Sequence, residues 1–124
     1  MIINNRPVFL NLIQFRFPVA AIMSVGHRAS GVLMVLSIPV LLYLLELSLQ
    51  GPQGFAEIRE LLQGGVAQLI LFLMLWALLH HLLAGIRYLL IDFDIGVGKE
   101  SARHSALAVM VVAPVLALAI GSLL

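Results

Sequence analysis

Three apolar runs, each of roughly twenty residues or more and so long enough to cross ~30 Å of hydrocarbon as a helix, constrain this chain more than any other feature. They cover about 19–49, 66–91 and 105–124. In lipid every backbone N–H and C=O must be satisfied internally, which leaves helices or a closed barrel. One chain of 124 residues with three such runs cannot close a barrel. The expected fold is therefore all-α, an integral membrane bundle of three transmembrane helices making one domain over 1–124. Hydrophobic residues are 62% of the chain and charged residues 10%, a balance that excludes an ordinary soluble domain. It also leaves no basic surface for nucleic acid.

The polar residues sort by side. Arg6, Arg16 and Arg28 precede or open the first run, and Arg87, Lys99 and Arg103 flank the connection DFDIGVGKESARH. Six of the seven Lys and Arg thus share one side, leaving Arg59 opposite with Glu46, Glu57 and Glu60. The positive-inside rule puts the N-terminus in the cytoplasm and the C-terminus outside. The other connection, QGPQGFAEIRELLQGG, reads as a polar loop rich in Gly and Pro. The opening MIINNRPVFLNLIQFRFP lacks the apolar core and small-residue ending of a cleavable signal peptide. There is no cysteine, so neither thiolate metal sites nor Fe–S ligands come from this chain.

Ionisable groups inside spans are expensive and are functional candidates by default. SVGHRASG, residues 24–31, opens the first span with Ser24, His27 and Arg28. Ser24 and Arg28 are one helical turn apart and can address one ligand head with a hydroxyl and a guanidinium. The competing reading is polar glue between helices, with Gly31 permitting close approach. The second span carries LWALLHHLLAGIRY. Adjacent helical residues point about 100° apart, so His80 and His81 cannot serve one site together. His81 is placed beside Ala77, Ala84 and Gly85, with Tyr88 further on, a face with room for a flat macrocycle beside an axial ligand. The alternative is a buried His bonded to another helix. His80, beside Trp76, Leu73 and Leu83, is assigned to packing or to a lipid or subunit contact. Arg87 is either a snorkelling interfacial side chain or part of the site, and His104 a solvated surface residue. Arg28 lies roughly 18 Å of helix beyond Arg16 and His81 roughly 16 Å before Asp92, at ~1.5 Å per residue, so the two clusters share a depth.

RPVFLNLIQFRFPVAAIMSVGHRASG (6–31) and HLLAGIRYLLIDF (81–93) resemble the cytochrome b-type membrane anchor subunit of succinate dehydrogenase, respiratory complex II. Gly26 departs from the usual family pattern, where a bulkier residue is common. The resemblance implies a single membrane-anchor domain in a multi-pass protein of the bacterial cytoplasmic (inner) membrane. It implies that His81 is the axial ligand of haem b and that His27 and Arg28 meet its propionates. It implies further that Ser24 and Arg28 bind ubiquinone, the substrate, and that this chain adds no catalytic residue to succinate oxidation. The partners implied are a second small anchor subunit sharing the haem, an iron–sulfur subunit and a flavoprotein subunit. Two alternatives stand beside it: a fumarate reductase anchor using menaquinone, and a non-redox transport or assembly subunit.

Overall fold

In a computed structural model the described residues are 16–123, so Arg6, the first part of the 6–31 motif and the last residue of the third run lie outside them. Among the described residues there are four helices and no strand: α1 (Val19–Ser48), α2 (Pro52–Gln63), α3 (Gly65–Asp92) and α4 (Lys99–Gly121). Three of them, α1, α3 and α4, are long and apolar enough to cross a membrane. The protein is a membrane protein with an all-α fold.

Neither the polar cluster at 24–28 nor Pro39 interrupts α1, which runs unbroken for 30 residues. At about 1.5 Å per residue that is about 45 Å, longer than the hydrocarbon core, so α1 tilts or extends past it. The connection at 50–64 is not a loop but contains α2. Gly51, at φ 131°, turns the chain after α1, and Pro52 then starts the helix without needing a donor. The helix formers of AEIRELLQ continue it. The third span begins earlier than hydropathy indicates: Lys99–His104 are already helical, preceded by a turn in which Asp94 (φ 59°) and Gly96 (φ 76°) are left-handed.

α3 packs against both α1 and α4 and holds the bundle together. Its buried stripe is Ala77, His80, Ala84 and Arg87, spaced i, i+3, i+7, i+10. The buried residues of α4 are Ala106, Val109, Ala113 and Ala117, spaced i, i+3, i+7, i+11. Small side chains let backbones approach closely, which matters where lipid tails remove the hydrophobic drive between helices. Met23 of α1 completes the core with Ala84, Ala106 and Val109. The large aliphatics Val32, Val35, Leu36, Leu41 and Leu42 of α1 remain exposed, as lipid- or protein-facing residues do in a membrane bundle.

Candidate functional site

His27 and His81 meet across the α1–α3 interface. Their rings stack with centroids 4.1 Å apart and planes inclined by 16°. The Tyr88 ring stands edge-on to His27 at 5.2 Å. Below the stack, the His27 carbonyl is a shared acceptor: the Ser30 hydroxyl donates to it at 2.8 Å, and His81 Nδ1 lies 3.1 Å away. A carbonyl only accepts, so His81 carries its proton on Nδ1. Ser30 Oγ lies 3.3 Å from the same nitrogen. Nε2 makes no hydrogen bond among the described residues, and so keeps its lone pair for a ligand.

This is the arrangement by which metal-ligating histidines are fixed, one ring nitrogen held by an acceptor and the other presented to the metal. One free imidazole nitrogen suits an iron porphyrin, whose macrocycle supplies four nitrogens and asks the protein for axial ligands only. Gly85, one turn from His81, leaves the adjoining surface of α3 open: a Cβ there would meet nothing within 4 Å. The His27 ring lies face to face with that of His81 and so belongs to the same side of the site as the candidate ligand.

The small residues are divided differently from the sequence-based expectation. Ala77 and Ala84 belong to the buried stripe with His80 and pack into the bundle, leaving Gly85 as the open position near His81. His80 is correspondingly no lipid or subunit contact. It is 3% exposed inside this chain's own bundle, its ring 5.5 Å from that of Trp76. Both His80 ring nitrogens are buried without a hydrogen-bond partner among the described residues. The imidazole lines a cavity of about 160 Å³ together with Ile22, Met23, Gly26, Trp76 and Met110, within this chain's own bundle.

Arg87 does not snorkel. It is 7% exposed and turns inward, donating from Nε to Ser105 Oγ at 2.9 Å and from Nη2 to the Ala102 carbonyl at 3.0 Å. The guanidinium carbon lies 5.7 Å from the Tyr88 ring centroid. Arg87 therefore ties the first turns of α4 to α3, beside the tyrosine that touches His27. Ser24 is half-buried and Arg28 exposed, on a side of α1 turned away from His80, and neither side chain is hydrogen-bonded among the described residues. His104 is exposed. Sequence reasoning missed Ser30, whose signal was its place three residues after His27, where a serine hydroxyl reaches back to a helix carbonyl.

Comparison with known proteins adds a family. The pattern described as "Succinate dehydrogenase/Fumarate reductase transmembrane subunit" matches residues 3–120. The chain is 40% identical over 109 residues to a "Succinate dehydrogenase cytochrome b556 subunit" of Coxiella burnetii, covering 87% of each chain. It is 34% identical over 113 residues to the protein of the same description in Paracoccus denitrificans, covering 91% of this chain and 87% of that one.

Proposed function

Because this chain belongs to the succinate dehydrogenase/fumarate reductase transmembrane subunit family, we propose that it anchors the catalytic subunits of succinate:ubiquinone oxidoreductase to the membrane, holds haem b through His81, and forms part of the ubiquinone-reduction site. The observation that carries the haem reading is the hydrogen bond between His81 Nδ1 and the His27 carbonyl, which leaves Nε2 as the free electron-pair donor. The relatives' description as cytochrome b556 subunits supports the same reading. When bound, haem b supplies a one-electron redox centre. His27 and Arg28 would meet its propionates, the guanidinium by charge-assisted hydrogen bonds. A second small anchor subunit would share in holding the haem, as His81 is the one histidine of this chain read as a ligand and His27 is stacked upon it.

Ser24 and Arg28 address the quinone. The Ser24 hydroxyl donates a hydrogen bond to a quinone carbonyl oxygen, which orients the ring. The Arg28 guanidinium stabilises the negative charge that the ring gains on reduction, before two protons complete the quinol for two electrons received. The exposure of Arg28 in the single chain supports a site completed by neighbouring subunits. An iron–sulfur subunit, itself served by a flavoprotein subunit, delivers the electrons at the side where six of the seven Lys and Arg collect. That side is the cytoplasmic face of a bacterial inner membrane, with the N-terminus inside.

The test is the dithionite-reduced minus oxidised absorption spectrum of the assembled complex. The complex shows a b-type haem, His81→Ala abolishes or strongly perturbs it, and His80→Ala retains it. Equal loss from both substitutions, or loss from His80→Ala alone, refutes the assignment.

A further inference from the structure

The two adjacent histidines of α3 each seat over a glycine of α1. A Cβ at Gly31 would lie 3.0 Å from His81 Cε1 and 3.3 Å from Nδ1. A Cβ at Gly26 would lie 2.8 Å from His80 Nε2 and 3.3 Å from Cε1, closer than real Cβ contacts allow. The rings thus meet α1 at two points about 7.5 Å apart along its axis, at ~1.5 Å per residue. His80 is buried, with Trp76 beside it and Met110 of α4 lining the same cavity. Its nitrogens have no hydrogen-bond partner among the described residues, which disfavours the folded state. What the imidazole supplies in exchange is close contact with α1 at Gly26.

We propose that Gly26 and His80 are a positioning pair: their contact sets how closely α1 approaches α3 at the turn that carries Ser24, His27 and Arg28. This rests on the reading of His81 as haem ligand. The His27 carbonyl that receives His81 Nδ1–H belongs to the residue immediately after Gly26. At 3.1 Å that bond is near the long end of the N–H···O range, so parting the helices by a few tenths of an ångström weakens it and frees the His81 ring to turn. The pair acts through His81 and His27 and touches neither haem nor quinone.

Four forms of the assembled complex test this: unsubstituted, Gly26→Ala, His80→Ala and Gly26→Ala/His80→Ala. The readouts are the electron paramagnetic resonance g values of the oxidised haem, which follow axial imidazole orientation, and the melting temperature of the complex. Gly26→Ala keeps its haem but shifts the g values and lowers the melting temperature by a few degrees. The double substitution, having lost the ring that the new methyl meets, returns the g values towards those of the unsubstituted complex and melts higher than the sum of the single effects. Unchanged g values in Gly26→Ala, or a shift that persists in the double form, overturns the proposal. If Gly26→Ala fails to assemble, assembly of the double form is the rescue expected, and failure of both overturns it. His81→Ala run alongside keeps the two readings apart. Should haem survive in that form, the axial assignment falls, and the positioning pair stands or falls on whether the melting temperatures are coupled or additive.

Discussion

His81 donates its Nδ1 proton to the main-chain carbonyl of His27, 3.1 Å away on the neighbouring span. One hydrogen bond thereby joins the residue best suited to hold iron to the helix bearing Ser24 and Arg28. Orientation of the imidazole and the spacing of α1 from α3 become a single quantity. A side-chain acceptor could rotate away, but a helix carbonyl cannot move without its helix, and Ser30 braces the same oxygen.

Ser30→Ala tests the brace. Ser30 is fully buried, and its hydroxyl both donates to the His27 carbonyl and lies 3.3 Å from His81 Nδ1. Losing one such bond costs about 0.5–1.5 kcal/mol, too little to unfold the bundle. The complex assembles with a full complement of haem, and the haem midpoint potential shifts because the ligand's acceptor is less well fixed. Potentiometric titration reads the shift. A potential identical to that of the unsubstituted complex would make Ser30 a packing residue only.

Arg87→Leu removes a buried cation that bridges α3 to the start of α4. Each hydrogen bond to a charged group contributes about 1.5–3 kcal/mol; without the guanidinium Ser105 Oγ loses the donor it accepts from, while the Ala102 carbonyl keeps only the Ser105 hydroxyl as its side-chain donor. A melting temperature several degrees lower is expected for the complex. Arg87→Lys rescues only part of it, because one ammonium cannot reproduce the two-pronged fork. Equal stability of the Lys form and the unsubstituted complex would show that charge alone matters here.

The three spans were legible in the sequence because burial in lipid leaves hydropathy as the whole signal, and the SVGHRASG and HLLAGIR segments were legible because polar atoms are costly at that depth. The rest depended on which face of each helix finds a neighbour. Ala77 lies 40° from His81 and 60° from His80 on an ideal helical wheel, about 100° being the step per residue, so proximity on the wheel did not decide which histidine shares its buried stripe. Burial within the bundle decided it: Ala77, His80 and Ala84 are buried together, and Ala84 packs with Met23, Ala106 and Val109. Helix α2 was hidden by reading the Gly and Pro around it as loop signals, when Gly51 and Pro52 are the turn and first residue of the helix itself. Arg87 was ambiguous because snorkelling and inward pairing differ only in the partners on offer, and Ala102 and Ser105 come into reach through the early start of α4.

The side assignment is open to labelling, and the chain's lack of cysteine makes the experiment clean. Gln53, exposed at the start of α2, and Val97, exposed in the turn between α3 and α4, lie at opposite ends of the bundle. With the Lys- and Arg-rich end in the cytoplasm, Gln53→Cys reacts with a membrane-impermeant maleimide in cells whose outer membrane has been permeabilised. Val97→Cys reacts only after the inner membrane is opened. The reverse pattern would invert the topology and move the docking side of the iron–sulfur subunit.

Ser24 and Arg28 make the last and sharpest separation between a quinone site and structural glue. They lie one helical turn apart on α1, and neither is hydrogen-bonded among the described residues, so the bundle of this chain does not depend on them for polar satisfaction. Ser24→Ala removes one hydrogen bond to a quinone oxygen, which costs about 0.5–1.5 kcal/mol, or about 2–12-fold in kcat/KM at ~1.4 kcal/mol per decade. Arg28→Leu removes a charge whose value grows as the ring becomes negative, so its effect falls mainly on kcat and exceeds that of Ser24→Ala. In both variants electron transfer from succinate to a soluble artificial acceptor continues at the unsubstituted rate, because that reaction ends on the catalytic subunits. Quinone reduction falls, and the two activities part. If both fall together with loss of assembled complex, the pair holds subunits rather than substrate. If quinone reduction is unaffected, the ring binds elsewhere, and the guanidinium at the mouth of α1 serves the haem propionates alone.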